Sequence, residues 1–281
     1  MRRIVESLRL AGFVVAAFLL TLVPGGVWAG LLTVNLRTGI STPWSAPVVL
    51  ILVWLAWRCV GGEPPWRRSE TRRSQRRANR VSPRVLGWAL TANAFALAAL
   101  AALWVILGEL VKTPGNPLPD FSAYPLPIVG LVFVAAAIVG AVSEEVGLRG
   151  YLQGRLERLA PWPVAVLLMA LIAAPGHALT QGFVWPTLLF YGLADLNYGV
   201  TAYLTRSILP GLISHATGLF VFFTFIWPAD GARPHVSAGS APTGFWILVA
   251  QMAACAGLAF WAFSRLGETM APRDGREPLR V

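Results

Sequence analysis

The chain alternates long apolar runs with short polar interruptions, and most of the runs approach membrane-crossing length. A helix rises 1.5 Å per residue, so about 20 apolar residues cross a ~30 Å hydrocarbon layer. Residues 11–32 form the first run, interrupted at Pro24, Gly25 and Gly26, and residues 44–60 form a second, shorter one. Further runs cover 85–111, the stretch from Pro127, a segment from Trp162 through Pro175-Gly176-His177, 186–204, 207–227 and 244–263. The pattern predicts an all-α fold, a polytopic transmembrane helix bundle of about eight spans. The first run follows Arg2, Arg3 and Arg9 but has no small-x-small cleavage site behind its apolar core, so it reads as a retained span. Residues 33–43 and the proline-rich 112–126 are connections, and 228–243 form a loop whose His235 is a surface residue.

The fourth run changes character near its end. After Arg149, Leu148, Leu152, Leu156 and Leu159 recur at helical spacing, while Arg155, Glu157 and Arg158 fall on the other side. This predicts a helix that continues beyond the membrane surface to Ala160-Pro161.

Charge orients the bundle. The 281-residue chain is 56% hydrophobic and 13% charged, about half the charge of a soluble domain, with a net charge of +10. Residues 61–84 form an arginine-rich linker with no apolar periodicity. Arginines also gather at the N-terminus, at 149–158, at 206 and beyond 264. With eight spans, all these segments lie on one side, and only Arg37, Lys112 and Arg233 fall on the other. The asymmetry predicts that the N-terminus and C-terminus are both cytosolic. It accounts for the basic balance with anionic lipid headgroups near 61–84 and no nucleic acid. The organisation is spans 1–2 over 1–60, the basic cytosolic linker 61–84, a membrane core 85–264 and a cytosolic tail 265–281. The two cysteines, Cys59 and Cys255, are isolated and form no disulfide framework or zinc motif. An arginine-rich, lysine-poor composition points to a GC-rich bacterial genome and a multi-pass protein of the bacterial cytoplasmic membrane. No feature of the sequence specifies an oligomeric state.

Candidate chemistry lies where the fourth run meets Ser143-Glu144-Glu145-Val146-Gly147-Leu148-Arg149-Gly150-Tyr151. Ionisable groups at membrane depth are costly, by roughly 2.5 kcal/mol or more near the bilayer centre, and persist mainly where they pair or act. Glu145 and Arg149 are i,i+4 and can pair on one helix face, while Glu144 is turned ~100° away. If helices 4 and 5 form a protruding hairpin about Ala160-Pro161, Glu144 and His177 lie at equal depth, ~22 Å from the tip. A helix 5 that enters the membrane at Trp162 puts His177 near the outer face instead. His215 enters the same layer from helix 7. A buried carboxylate with two imidazoles can activate water and stabilise an oxyanion. The same donors suit zinc, so a zinc site stays open, although H-E-x-x-H is absent. No G-x-S-x-G is present.

E-E-x-x-x-R-G-Y at 144–151, a histidine on the next helix, and Thr205-Arg206-Ser207-Ile208-Leu209-Pro210-Gly211-Leu212-Ile213-Ser214-His215 resemble the CPBP family of intramembrane glutamic endopeptidases, also called the CAAX prenyl protease type II or abortive-infection family. The resemblance covers about 127–220. It implies that Glu144 is the general base for a hydrolytic water, His177 its partner, and His215 part of an oxyanion site, with Glu145 and Arg149 in support. It implies no required cofactor, and a membrane-associated peptide or protein as substrate. Two positions depart from the family pattern. Ala173 stands where F-x-x-x-H has Phe, and Leu219 stands where H-x-x-x-N/D has a polar residue. Asn197, Asp195 or Thr217 are the polar groups that can substitute for the latter. Two other functions stay open: a non-catalytic scaffold or bacteriocin self-immunity protein of the same family, favoured by Leu219, and a proton-coupled transporter using Glu144 and the histidines as a relay.

Overall fold

The computed structural model describes residues 2–38, 44–61, 77–111, 121, 124–233, 235–236 and 241–270. Most of the basic linker, the tail beyond 270 and most of the connection expected at 112–126 lie outside them; of the connection expected at 33–43, residues 33–37 belong instead to the first helix and 39–43 lie outside the described residues. Among the described residues there are eight helices and no strand. They are α1 Arg2–Arg37, α2 Ser45–Gly61, α3 Pro83–Leu110, α4 Leu126–Leu156, α5 Trp162–Gln181, α6 Trp185–Thr205, α7 Leu209–Val221 and α8 Thr243–Met270. A π-helical turn, Phe222–Ile226, and a 3-10 turn, Trp227–Ala232, extend α7. With that extension α7 joins α1, α3, α4 and α8 as the five helices long and apolar enough to cross a membrane. The apolar parts of α2 and α5 are shorter, and α6 carries Asp195 and Asn197 within its 21 residues. This is a multi-pass membrane protein. Large exposed apolar side chains, such as Leu19, Trp54 and Phe260, stand on faces that lipid would cover.

Two expectations are corrected. Pro24 does not interrupt α1, which runs continuously through it; membrane helices tolerate such breaks in the hydrogen-bond ladder. The fourth helix stops at Leu156 rather than at 160–161. Its segment Glu145–Gln153 is π-helical, with i→i+5 bonds that widen the turn and rotate every later side chain. Leu148, Leu152 and Leu156 are buried as the stripe predicts, but Leu159 is 70% exposed. Glu157 turns inward to pair with Arg77 and to accept from Gln153 Nε2 at 2.8 Å. Arg155 lies over the Phe13 ring at 4.6 Å.

The helices that carry the polar motifs form the interior. α4 packs on α7, on α1 and on α2; α5 packs on α6; α3 packs along α8 and also meets α6 and α7. One internal polar cluster holds α3 to α6. Asn197 Nδ2 donates to Asn93 Oδ1 at 2.7 Å, and Asn93 Nδ2 donates to Thr201 Oγ1 at 3.0 Å. At one end, the strand of chain entering α3 is tied to the α6–α7 turn. Ile208 N donates to Arg77 O at 2.8 Å, and Asn79 Nδ2 to Arg206 O at 3.1 Å. Arg77 and Arg206, the two non-glycine residues with positive φ among the described residues, face each other across this junction.

Candidate active site

Four helices each deliver part of one polar cluster. α4 brings Glu144, Glu145 and Arg149; α5 brings His177; α6 brings Asp195; α7 brings His215. Arg149 is 1% exposed at its side chain and is the hub. Its Nη2 donates to Asp195 Oδ1, and its Nη1 lies 3.5 Å from Glu145 Oε1 and 3.8 Å from Glu144 Oε2. The expected Glu145–Arg149 pair is present, but the guanidinium reaches both glutamates and finds its hydrogen-bonded carboxylate on α6, 46 residues away.

Glu144 and His177 do meet, as the hairpin register requires. Glu144 Oε2 is 3.7 Å from His177 Nε2 and 3.7 Å from His215 Nε2. That separation is too long for a direct hydrogen bond and suits one shared water. His215 Nδ1 lies 3.1 Å from Glu145 Oε1. Nε2 is the nitrogen turned toward Glu144, and in the tautomer that lets Nδ1 donate to Glu145 the proton sits on Nδ1.

The three polar substitutes weighed for Leu219 are engaged elsewhere. Asp195 holds Arg149, Asn197 holds Asn93, and Thr217 Oγ1 donates back to Ile213 O at 2.9 Å. Glu145 is the group that holds His215. Leu219 instead packs against Gly140, where an added Cβ would come within 2.9 Å of Leu219 Cδ1. Gly211 lets α7 approach the cluster: a Cβ there would sit 2.8 Å from Glu145 Oε2.

Two residues escaped sequence reasoning. His177 stacks on Tyr191 at 4.0 Å between centroids and 8° between planes, and His215 stacks on Tyr198 at 4.4 Å and 16°. Both imidazole planes are therefore set by tyrosines of one helix. The signal was available, since Tyr191, Asp195 and Tyr198 recur at i, i+4 and i+7 on α6. His235, expected at the surface, is exposed.

The cluster forms the polar end of a cavity of about 480 Å³. Beyond it the walls are largely apolar, with Leu97, Leu219, Phe190, Phe222 and Phe223 among them. Glu144 remains 15% exposed and His177 22%, whereas Glu145 is sealed. The arrangement thus offers one accessible carboxylate, two aligned imidazoles and a buried cation. Among the described residues no three His, Cys, Asp or Glu side chains are arranged to hold a metal ion.

Residues 126–221 match the family model described as type II CAAX prenyl endopeptidase Rce1-like. The chain carries an Rce1-like domain. No curated protein and no solved structure matches the chain. The Rce1-like domain begins at the first residue of α4 and ends at the last of α7, so it contains every residue of the cluster and both stacking tyrosines. It leaves α1–α3 and α8 outside. The matched family is one of CAAX-type proteases, and the match covers 96 of the 281 residues, about a third of the chain.

Proposed function

We propose that the protein is an intramembrane endopeptidase that hydrolyses a peptide bond of a membrane-associated protein or peptide with a water activated by Glu144. The observation that carries this reading is the position of Glu144 Oε2, 3.7 Å from the Nε2 atoms of both His177 and His215 at the polar end of an otherwise apolar cavity. A water there meets one acceptor and two imidazoles. Glu144 takes its proton, the oxygen attacks the carbonyl carbon, and the carbonyl π pair moves to oxygen. The proton held by Glu144 then passes to the departing amine as the C–N bond breaks. His177, clamped by Tyr191, orients the water. His215 stabilises the oxyanion as an imidazolium, because its Nδ1 proton is committed to Glu145 and Nε2 donates only when protonated as well. Arg149 and Asp195 act through Glu145, holding it in place. The reaction uses no cofactor, and the termini face the cytosol of a bacterial cell, where the basic segments collect.

The test compares membrane-protein termini in cells carrying the wild type or Glu144→Gln at equal expression. New termini made by the wild type alone support the protease and name its substrate. Leu219 favours a second reading, a non-catalytic relative that binds a membrane peptide. Identical termini across growth conditions would establish that reading instead.

A further inference from the structure

Away from the Rce1-like domain, α3 and α8 pack side by side and enclose a groove of about 680 Å³ at the end where α3 begins and α8 finishes. Its walls are mirrored. α3 presents Arg84 at its start and Trp88 one turn deeper; α8 presents Arg265 near its end and Trp261 one turn deeper. Both pairs are i,i+4, so each helix sets an arginine and a tryptophan one turn apart on one face. The indoles meet edge to face at 5.4 Å, and Arg265 lies 6.0 Å from the Trp261 ring centre. At its floor Val85 is buried in a cluster with Ala89 and Leu266.

The depth of these groups decides what the groove faces. α3 is 28 residues long, about 42 Å at 1.5 Å per residue, so its ends pass beyond a ~30 Å hydrocarbon layer. Arg84, in its first turn, then stands at headgroup level, and Trp88, about 6 Å deeper, at the boundary with the acyl chains, where indoles concentrate. Charge decides which headgroup. The first turn of α3 has no acidic residue, so Arg84 adds positive charge at a helix end that already favours anions. Glu268 lies in the groove and accepts from Arg265 Nη1 at 2.8 Å, cancelling one of the two arginine charges. A net charge of +1 matches a single phosphodiester.

We propose that this groove binds one anionic phospholipid with a diester phosphate, its phosphate between Arg84 and Arg265 and its glycerol against Trp88 and Trp261. The site is independent of the catalytic reading. It gives the basic end of the bundle a defined lipid position on α3 and α8, beyond diffuse attraction of the linker. Each arginine contributes about fivefold to binding at such an interface.

The experiment titrates the delipidated full-length protein in detergent with phosphatidylglycerol, phosphatidylcholine or inorganic phosphate, and counts retained lipids by native mass spectrometry. The wild type should retain one phosphatidylglycerol more tightly than the rest, and more tightly than phosphatidylcholine. Arg84→Gln with Arg265→Gln should weaken that one about 25-fold. Arg158→Gln, which removes an exposed charge near the same end of the bundle, should leave it unchanged. Equal retention of phosphatidylcholine, displacement by inorganic phosphate at equal concentration, or the same loss with Arg158→Gln would each overturn the proposal. All three positions are at the surface, and thermal unfolding of the variants confirms that they fold.

Discussion

Replacing Arg149 with methionine keeps an unbranched side chain and removes the cation of the cluster, which Glu144 shares with the buried carboxylates Glu145 and Asp195. Its guanidinium donates to Asp195 and lies 3.5 Å from Glu145 and 3.8 Å from Glu144. At an effective dielectric of about 20, unit charges at those two distances attract by about 5 and 4 kcal/mol. Desolvation offsets much of this, since each ion loses several kcal/mol of hydration on burial. The offset does not apply to the variant, in which Glu145 and Asp195 stay buried beside Glu144 without the cation. Breaking a buried pair in this way costs about 3–5 kcal/mol, a fall in unfolding temperature on the order of 10 °C. The assay is thermal unfolding of the purified protein in one detergent, with Arg158→Met as the control. Arg158 is exposed in the turn after α4, and its side chain donates to Gly154 O at 3.2 Å, so its loss should shift unfolding by no more than about 1–2 °C. Glu144→Gln should likewise unfold close to wild type while losing activity, because it removes one of three negative charges and leaves the cation paired. If Arg149→Met unfolds within about 2 °C of wild type, the carboxylates are not held as ions by Arg149 and the hub description is wrong.

Other consequences concern the site itself. Glu145→Gln keeps an oxygen for His215 Nδ1 but removes the charge that supports an imidazolium, so kcat should fall about 10–100-fold with KM nearly unchanged; steady-state kinetics on a fluorogenic membrane peptide reads this. Gly211→Ala puts a methyl 2.8 Å from Glu145 Oε2, and displacement of that carboxylate should lower the same rate about 10–100-fold. Gly199→Ala meets Val166 Cγ1 at 2.8 Å and Met169 Cε at 3.1 Å between α5 and α6; overpacking there should destabilise by about 1–3 kcal/mol, read by thermal unfolding. Proteolysis should survive strong chelators at millimolar concentration, and its loss with recovery on adding zinc would replace the glutamate mechanism by a metal one.

The sequence by itself determined the helical class and most helix positions, because hydrophobic run length and period are local properties that need no tertiary partner. It also brought Glu144 and His177 together on the condition of a protruding hairpin about Ala160-Pro161, and left His215 to the tilt of helix 7. Within such a hairpin equal depth follows from residue counts, and the observed approach of Glu144 to His177 agrees with that register. Tertiary structure alone decided which groups touch. The π-helical segment Glu145–Gln153 changes the angle between successive side chains, and no local pattern announces it. It turns Glu157 inward to Arg77, where an ideal helix put it outside. The pairing of Arg149 with Asp195, of Glu145 with His215, and of each imidazole with a tyrosine joins separate helices. Such pairings depend on how each helix is rotated about its axis and how close its neighbour comes, which glycines such as Gly211 permit. The apolar pattern does not encode that rotation strongly here, because helices that face lipid on one side and protein on the other are hydrophobic all round.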